Sequence, residues 1–237
     1  MIKMMILASR RDGLTHDEFR RYVTEIHGPL VKSVRAVAQD IRHYHYNFPI
    51  AGAVDAAFGH PLADDLDILT EAWFDSVQAH RDNQRRPGYM EILRPDEHRF
   101  ADGERATMHY TQESPVLSGE ATLNRVFYLR HRRPGLSRCE FQERWLAGMR
   151  TIFNEAIRPA GVAGYVQNLT IAEAEHPDGG EARRYDVVDE LFLEQPGALA
   201  LLEGNAGLRE EVRRLGEMLV DTTRTRAFVG ETVLNIP

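Results

Sequence analysis

The sequence predicts an α+β protein built from two tandem copies of a βαββαβ unit, and three observations carry that expectation. The chain repeats itself: Arg11-Asp12-Gly13-Leu14-Thr15 with Glu18-Phe19 returns as Arg133-Pro134-Gly135-Leu136-Ser137 with Glu140-Phe141, and Tyr44-His45-Tyr46-Asn47 as Tyr165-Val166-Gln167-Asn168. Asp67 to Phe74 returns as Asp186 to Leu193, and Phe100-Ala101-Asp102 as Leu219-Val220-Asp221, the offset drifting only from 122 (Gly13 to Gly135) to 119 (Phe100 to Leu219). Each copy alternates apolar runs of strand length with segments of helical period. The 237 residues, 43% hydrophobic and 27% charged, suffice for two soluble units of that size. We divide them as 1–114 and 120–237, joined through the turn formers of Glu113-Ser114-Pro115-Val116-Leu117-Ser118-Gly119-Glu120.

The elements follow in the same order in both copies. Ile2 to Ser9 and Arg125 to Arg130 read as first strands, each followed by a turn at Gly13 or Gly135. Thr15 with Glu18, and Ser137 with Glu140, form capping boxes that start the first helices. Phe19, Val23, Ile26 and Leu30, and Phe141, Trp145 and Ile152, mark their buried faces, with Gly28-Pro29 kinking or interrupting the first copy. Second strands centre on Tyr44 to Phe48 and Tyr165 to Ile171, and third strands on Asp67 to Phe74 and Asp186 to Leu193. Second helices span roughly Asp75 to Asn83, extended near Glu91 to Phe100, and Leu208 to Leu219; last strands cover Ala106 to Thr111 and Ala227 to Val233. This is the ferredoxin-like plan, a four-stranded antiparallel sheet with two helices on one face. The other face is also apolar and needs cover. Two such sheets facing each other within one chain close into an eight-stranded barrel with helices outside.

Composition narrows the function. A net charge of −7 with arginines scattered among carboxylates gives no basic surface for nucleic acid or an anionic membrane. No apolar run approaches the ~20 residues that span a bilayer, and the N-terminal stretch is too short and too soon charged for a signal peptide. With a single cysteine, Cys139, these features predict a cytoplasmic protein without disulfides or cysteine-rich metal clusters. Lys3 and Lys32 are the only lysines and neither follows a glycine-rich loop, which speaks against Walker, Schiff-base and pyridoxal chemistry.

Gly13-Leu14-Thr15-x-x-Glu18-Phe19-Arg20-Arg21-Tyr22, Ile26-His27-Gly28-Pro29-Leu30, Tyr44-x-x-Asn47 and Asp67-x-x-x-Glu71-x-Trp73-Phe74 resemble the EthD-like proteins of the dimeric α+β barrel superfamily. The resemblance covers most of the first half and, more loosely, the second. It implies the facing-sheet barrel, and a range of activities: cofactor-free monooxygenases, isomerases, cyclases, decarboxylases and haem-degrading enzymes. The copies depart from the pattern in opposite ways. The first has His27 but Val23 where the family has tryptophan; the second has Trp145 but Met149 in place of the histidine. One competent pocket, in the first half, is therefore expected.

His27, on or beside the buried helix face, is the candidate general acid or base, since a neutral histidine can give or take a proton near pH 7. His43, His45 and Asn47 share one face of the second strand and Tyr44 and Tyr46 the other. A His43-x-His45 pair could seat a metal but has no evident third ligand, so we assign none. His45, which Val166 replaces in the second copy, and Tyr44 are the further catalytic candidates. Asn47, Tyr22, Trp73 and His109 are assigned to substrate binding, and Glu71 with its counterpart Glu190 to a structural role. The expectation is a cofactor-independent enzyme moving protons on a small hydrophobic carbonyl or phenolic compound: an isomerase, cyclase, dehydratase or decarboxylase. Its alternatives are a cofactor-free monooxygenase and a non-catalytic ligand- or haem-binding accessory protein. The internal pseudo-dimer makes a monomer sufficient, with a homodimer possible.

Overall fold

The computed structural model describes residues 1–55, 57–171, 185–195 and 197–236. The first half contributes strands β1 (Ile2–Ala8), β2 (Tyr44–Pro49), β3 (Ile68–Phe74) and β4 (Thr107–Leu117), and the second β5 (Asn124–Arg130), β6 (Val162–Thr170), β7 (Val187–Leu193) and β8 (Arg226–Ile236). They close into one barrel in the order β1-β3-β2-β8-β5-β7-β6-β4, every pairing antiparallel. The halves join at two seams, β2 with β8 and β4 with β6. These seams carry the last strands beyond the expected Thr111 and Val233, to Leu117 and Ile236, because their far ends pair with the other half. Part of the expected linker is therefore strand. Pro115, which has no N–H for a ladder, sits where the β4 register shifts. Among the described strands, closure leaves no open sheet edge.

The helices lie outside the barrel. In the first half these are α1 (His16–Tyr22), a π turn (Val23–His27), α2 (Gly28–Ser33), α3 (Arg35–Ala38), α4 (Val77–Gln84), a second π turn (Tyr89–Leu93) and α5 (Arg94–Phe100). The second half has α6 (Arg138–Ile152), α7 (Ala198–Glu203) and α8 (Ala206–Leu219). Phe19 and Val23 pack on Ala8, Tyr46, Phe48 and Ile68; Phe141, Trp145 and Met149 pack on Val126, Tyr128, Tyr165 and Leu191. Gly13 and Gly135 hold the preceding turns at φ 90° and 94°, a region disfavoured for residues with a Cβ. Thr15 and Glu18 complete the capping box in both directions. Ser137 makes half of one: it accepts from Glu140 N–H, but the Glu140 carboxylate turns instead to Arg144 at 2.9 Å.

Strand alternation turns Lys3, Glu71, Arg125 and Glu190 into the barrel. Lys3 Nζ lies 2.8 Å from both Glu71 and Glu190 and 2.9 Å from Glu113, while Arg125 reaches Glu71 and Glu190 at 2.7 Å each. Asn47 donates to Glu71 at 3.0 Å and Asn168 to Glu190 at 3.2 Å. Burial alone would push the Lys3 ammonium down, but its three carboxylates outweigh that and hold it above the ordinary lysine value. Burial likewise opposes ionisation of Glu71, and Lys3 and Arg125 overcome it, so its carboxyl stays below its usual 4.5. The repeat thus meets itself at the barrel axis, each half giving one cation and one glutamate.

Removing one partner of a buried ion pair costs about 3–5 kcal/mol. Lys3→Met should therefore lower stability by about that amount, read by urea unfolding. Because the folded-state pKa of Glu71 is depressed, its contribution is present above pH 4.5 and should fade as pH falls through the lower folded value.

Candidate active site

Two first-half helices widen just ahead of a proline. Pro29 has no N–H to donate, and in a regular helix its ring would collide with the carbonyl four residues back. The chain answers with the Val23–His27 π turn, closed by Gly28 N–H donating to Val23 O. The same happens before Pro95, where Arg94 N–H donates to Tyr89 O. The interruption expected at Gly28-Pro29 is thus a wide turn rather than a break. It also moves the buried stripe: His27 is 3% exposed and Val31 4%, whereas Ile26, expected on the buried face, is 49% exposed. Glycine at position 28 leaves room for Asn235 of β8; an added Cβ would lie 2.9 Å from its Oδ1 and 3.2 Å from Val23 O, so a neighbour would have to give way.

The first π turn aims His27, and the second precedes the helical turn that carries Asp96 and Glu97. His27 Nδ1 lies 2.9 Å from Asp96 Oδ2, and Tyr22 donates its hydroxyl to Asp96 Oδ1 at 2.6 Å. Burial lowers the His27 pKa below its usual 6.5 more than Asp96 raises it, so the ring is neutral at pH 7. A neutral ring that donates Nδ1–H to a carboxylate leaves its Nε2 lone pair bare. Nε2 has no partner among the described residues, and His27 lines a cavity of about 400 Å³ between the helices and the first sheet. Glu97 lines the same cavity, and burial pushes its carboxyl up to about 7 despite hydrogen bonds from Tyr89 at 3.1 Å and Arg94 at 3.4 Å. Tyr44 and Tyr46 line it too; burial holds both hydroxyls above the ordinary tyrosine value, so they remain donors.

The sheet separates the residues that the sequence nominated. His27 and Tyr44 share the cavity, with Tyr22 behind His27 on Asp96. His45, Asn47, Trp73 and His109 project from the opposite face, into the barrel, and are not brought together with His27. Asn47 is consumed by Leu69 O, Glu71 and Thr232. Trp73 donates to Glu113 at 2.9 Å and lies 4.6 Å below Lys3 Nζ. His45 packs 4.9 Å from Trp73, its pKa pushed down to about 4 by burial and then by Arg125 and Lys3. His109 packs 5.6 Å from Tyr185. The His43 and His45 rings are 6.3 Å apart, and among the described residues no three His, Cys, Asp or Glu side chains are placed to hold a metal.

Asp96 and Glu97 are functional candidates that sequence reasoning missed. The repeat offset contained the signal: 119 residues on, the pair becomes Leu215 and Gly216, just as His27 becomes Met149. The second half therefore lacks the base, its carboxylate and the second carboxyl together. Trp145 stands at the position matching Val23 and donates to Asp189 at 3.1 Å.

The EthD domain model matches residues 11–104. The decarboxylase AgnL1 of Paecilomyces divaricatus is 24% identical over 110 residues, 44% of this chain and 73% of its own. The dehydratase ustZ of Ustilaginoidea virens is 24% identical over 132 residues, 52% of this chain and 91% of its own. The crystal structure of an anthrone oxidase-like protein superposes with a TM-score of 0.62 at 10% identity, covering 98% of this chain and 91% of that one, so it shares the whole two-half fold. Residues 11–104, which hold His27, Asp96 and Glu97, are an EthD domain.

Proposed function

We propose that the protein is a cofactor-independent enzyme that transfers protons on a small hydrophobic carbonyl or phenolic compound in secondary metabolism, eliminating water or carbon dioxide. The observation that carries this reading is the His27–Asp96 pair, whose bare Nε2 faces a cavity that also holds a carboxyl poised near neutrality. Nε2 removes a proton from a carbon beside a carbonyl, or from a phenol, and the charge gained by the ring is met by Asp96. Tyr44 donates to the developing oxyanion. In a dehydration Glu97 then protonates the departing hydroxyl, the carbon–carbon double bond forms and water leaves; in a decarboxylation it protonates the carbon that carbon dioxide leaves. The relatives named decarboxylase and dehydratase support this class of chemistry, since both reactions need proton transfers beside an activated carbon. The second half serves as the structural partner that closes the barrel.

Incubating the protein with a panel of β-hydroxy ketones and phenolic carboxylic acids, with loss of water or carbon dioxide read by mass spectrometry, tests the reading. His27→Asn should keep the fold and lower turnover by ~10²-fold or more, the usual scale for a lost general acid or base. Met149→Leu should leave turnover intact and cost under ~1.5 kcal/mol of stability. Full turnover in His27→Asn would remove the base from the mechanism.

The pH profile is a separate check. The base works only when His27 is neutral, so activity should fall in acid as pH drops through a pKa below 6.5. The acid works only when Glu97 is protonated, so activity should also fall above about 7. Glu97→Gln should be slower and should lose the alkaline limb; an unchanged alkaline limb would exclude Glu97 as the donor.

A further inference from the structure

The second half keeps a cavity of its own, about 460 Å³, bounded by α8, the end of β5 and the Phe58 and His60 side chains of the first half. At its base is Arg130, 2% exposed, its Nε bonded to Asp189 and its guanidinium lying between the rings of Tyr128 and Trp145 at 5.0 and 4.6 Å. Asp189 also accepts from Trp145 and from the Tyr165 hydroxyl at 2.6 Å, so that carboxylate is fully satisfied. The two terminal nitrogens of Arg130 are not: they have no acceptor among the described residues. In a residue so nearly buried, donors of a charged group that open only onto the cavity point to an acceptor that enters from it.

A second observation is independent of the arginine. Gly216 lies on the buried face of α8, at the position that corresponds to Glu97, and a Cβ added there would meet nothing within 4 Å. Glycine inside a helix is disfavoured relative to alanine, and here no close approach requires it. Its effect is to keep the cavity open.

We propose that this cavity binds a small molecule bearing one carboxylate on an apolar body, the carboxylate taking the free N–H groups of Arg130. The outer edge of a guanidinium offers two parallel N–H groups matched to a planar carboxylate. Phe58 and Val212 wall the space for the apolar part. Glu210 and Glu217 also line it but are paired with Arg213, so the unpaired terminal groups of Arg130 are what the cavity offers a carboxylate at its base. Burial and the Arg130 charge keep His60 neutral, with its pKa pushed down to about 3, so it adds no competing cation at the base. This site is separate from the His27 cavity and stands whether or not that cavity is catalytic.

The test is calorimetric titration of the full chain with benzoate, and with benzamide as its uncharged counterpart. Saturable benzoate binding is expected, at least about tenfold tighter than benzamide, a difference of ~1.4 kcal/mol. Gly216→Leu fills the open space with a better helix former and should abolish binding while circular dichroism and the thermal midpoint are retained. Arg130→Lys keeps a cation beside Asp189 but loses the fork, and should weaken benzoate toward benzamide. His27→Asn should bind benzoate as the parent does, which separates this site from the first-half cavity. The proposal is overturned if benzoate does not saturate, if benzamide binds as well, if Gly216→Leu binds benzoate unchanged, or if His27→Asn abolishes binding. Should Arg130→Lys fail to fold, the Gly216→Leu result decides.

Discussion

Two glutamates meet at the centre of this barrel, and a cation from each half contacts both of them. Lys3 and Arg125 each contact Glu71 and Glu190 within 2.8 Å, and none of the four is more than 3% exposed. Each glutamate meets the cation of its own half and that of the other, so the cluster ties the two repeats to one register and one spacing. Closure of the seams follows, with β4 and β8 reaching across to the opposite half. Asn47, Trp73 and Glu113 are drawn into the same network, which takes much of the polar interior out of reach of a ligand. Chemistry is displaced to the outer layer, between helices and sheet.

That outer layer is where the copies have diverged. In the first half, two prolines widen two helices, and the wide turns set His27 opposite Asp96 and Glu97. In the second half α6 runs from Arg138 to Ile152 without such a turn, and Trp145 and Met149 pack as core. The same fold thus holds an acid–base cavity on one side and an arginine-floored cavity on the other. Inside the barrel His45, Trp73 and His109 have also diverged, to Val166, Phe192 and Phe228, while Lys3, Arg125, Glu71 and Glu190 keep their charges.

Much of the architecture was legible because duplication prints it twice. Gly13 with Gly135 and Thr15 with Ser137 located the turns and helix starts, and the apolar second sheet face called for the other half as cover. The site was only half legible. His27 stood out against Met149, but Asp96 and Glu97 lie in the charged run Arg94-Pro95-Asp96-Glu97-His98, which reads as a solvated helix end. Ile26 was expected on the buried face because a regular turn was assumed; the π turn made by the following proline gives that place to His27. His45 and Tyr44 alternate as expected. In a barrel, however, both faces of a strand are covered, and alternation alone does not say which one meets the helices.

The account depends most directly on the protonation state of one ring. Long-range proton–nitrogen correlation NMR on histidine-labelled protein, with His27 assigned by its loss in His27→Asn, reads that state without a substrate. At neutral pH the account predicts a neutral imidazole with the proton on Nδ1 and a bare Nε2. A proton on Nε2, or an imidazolium at neutral pH, would contradict it.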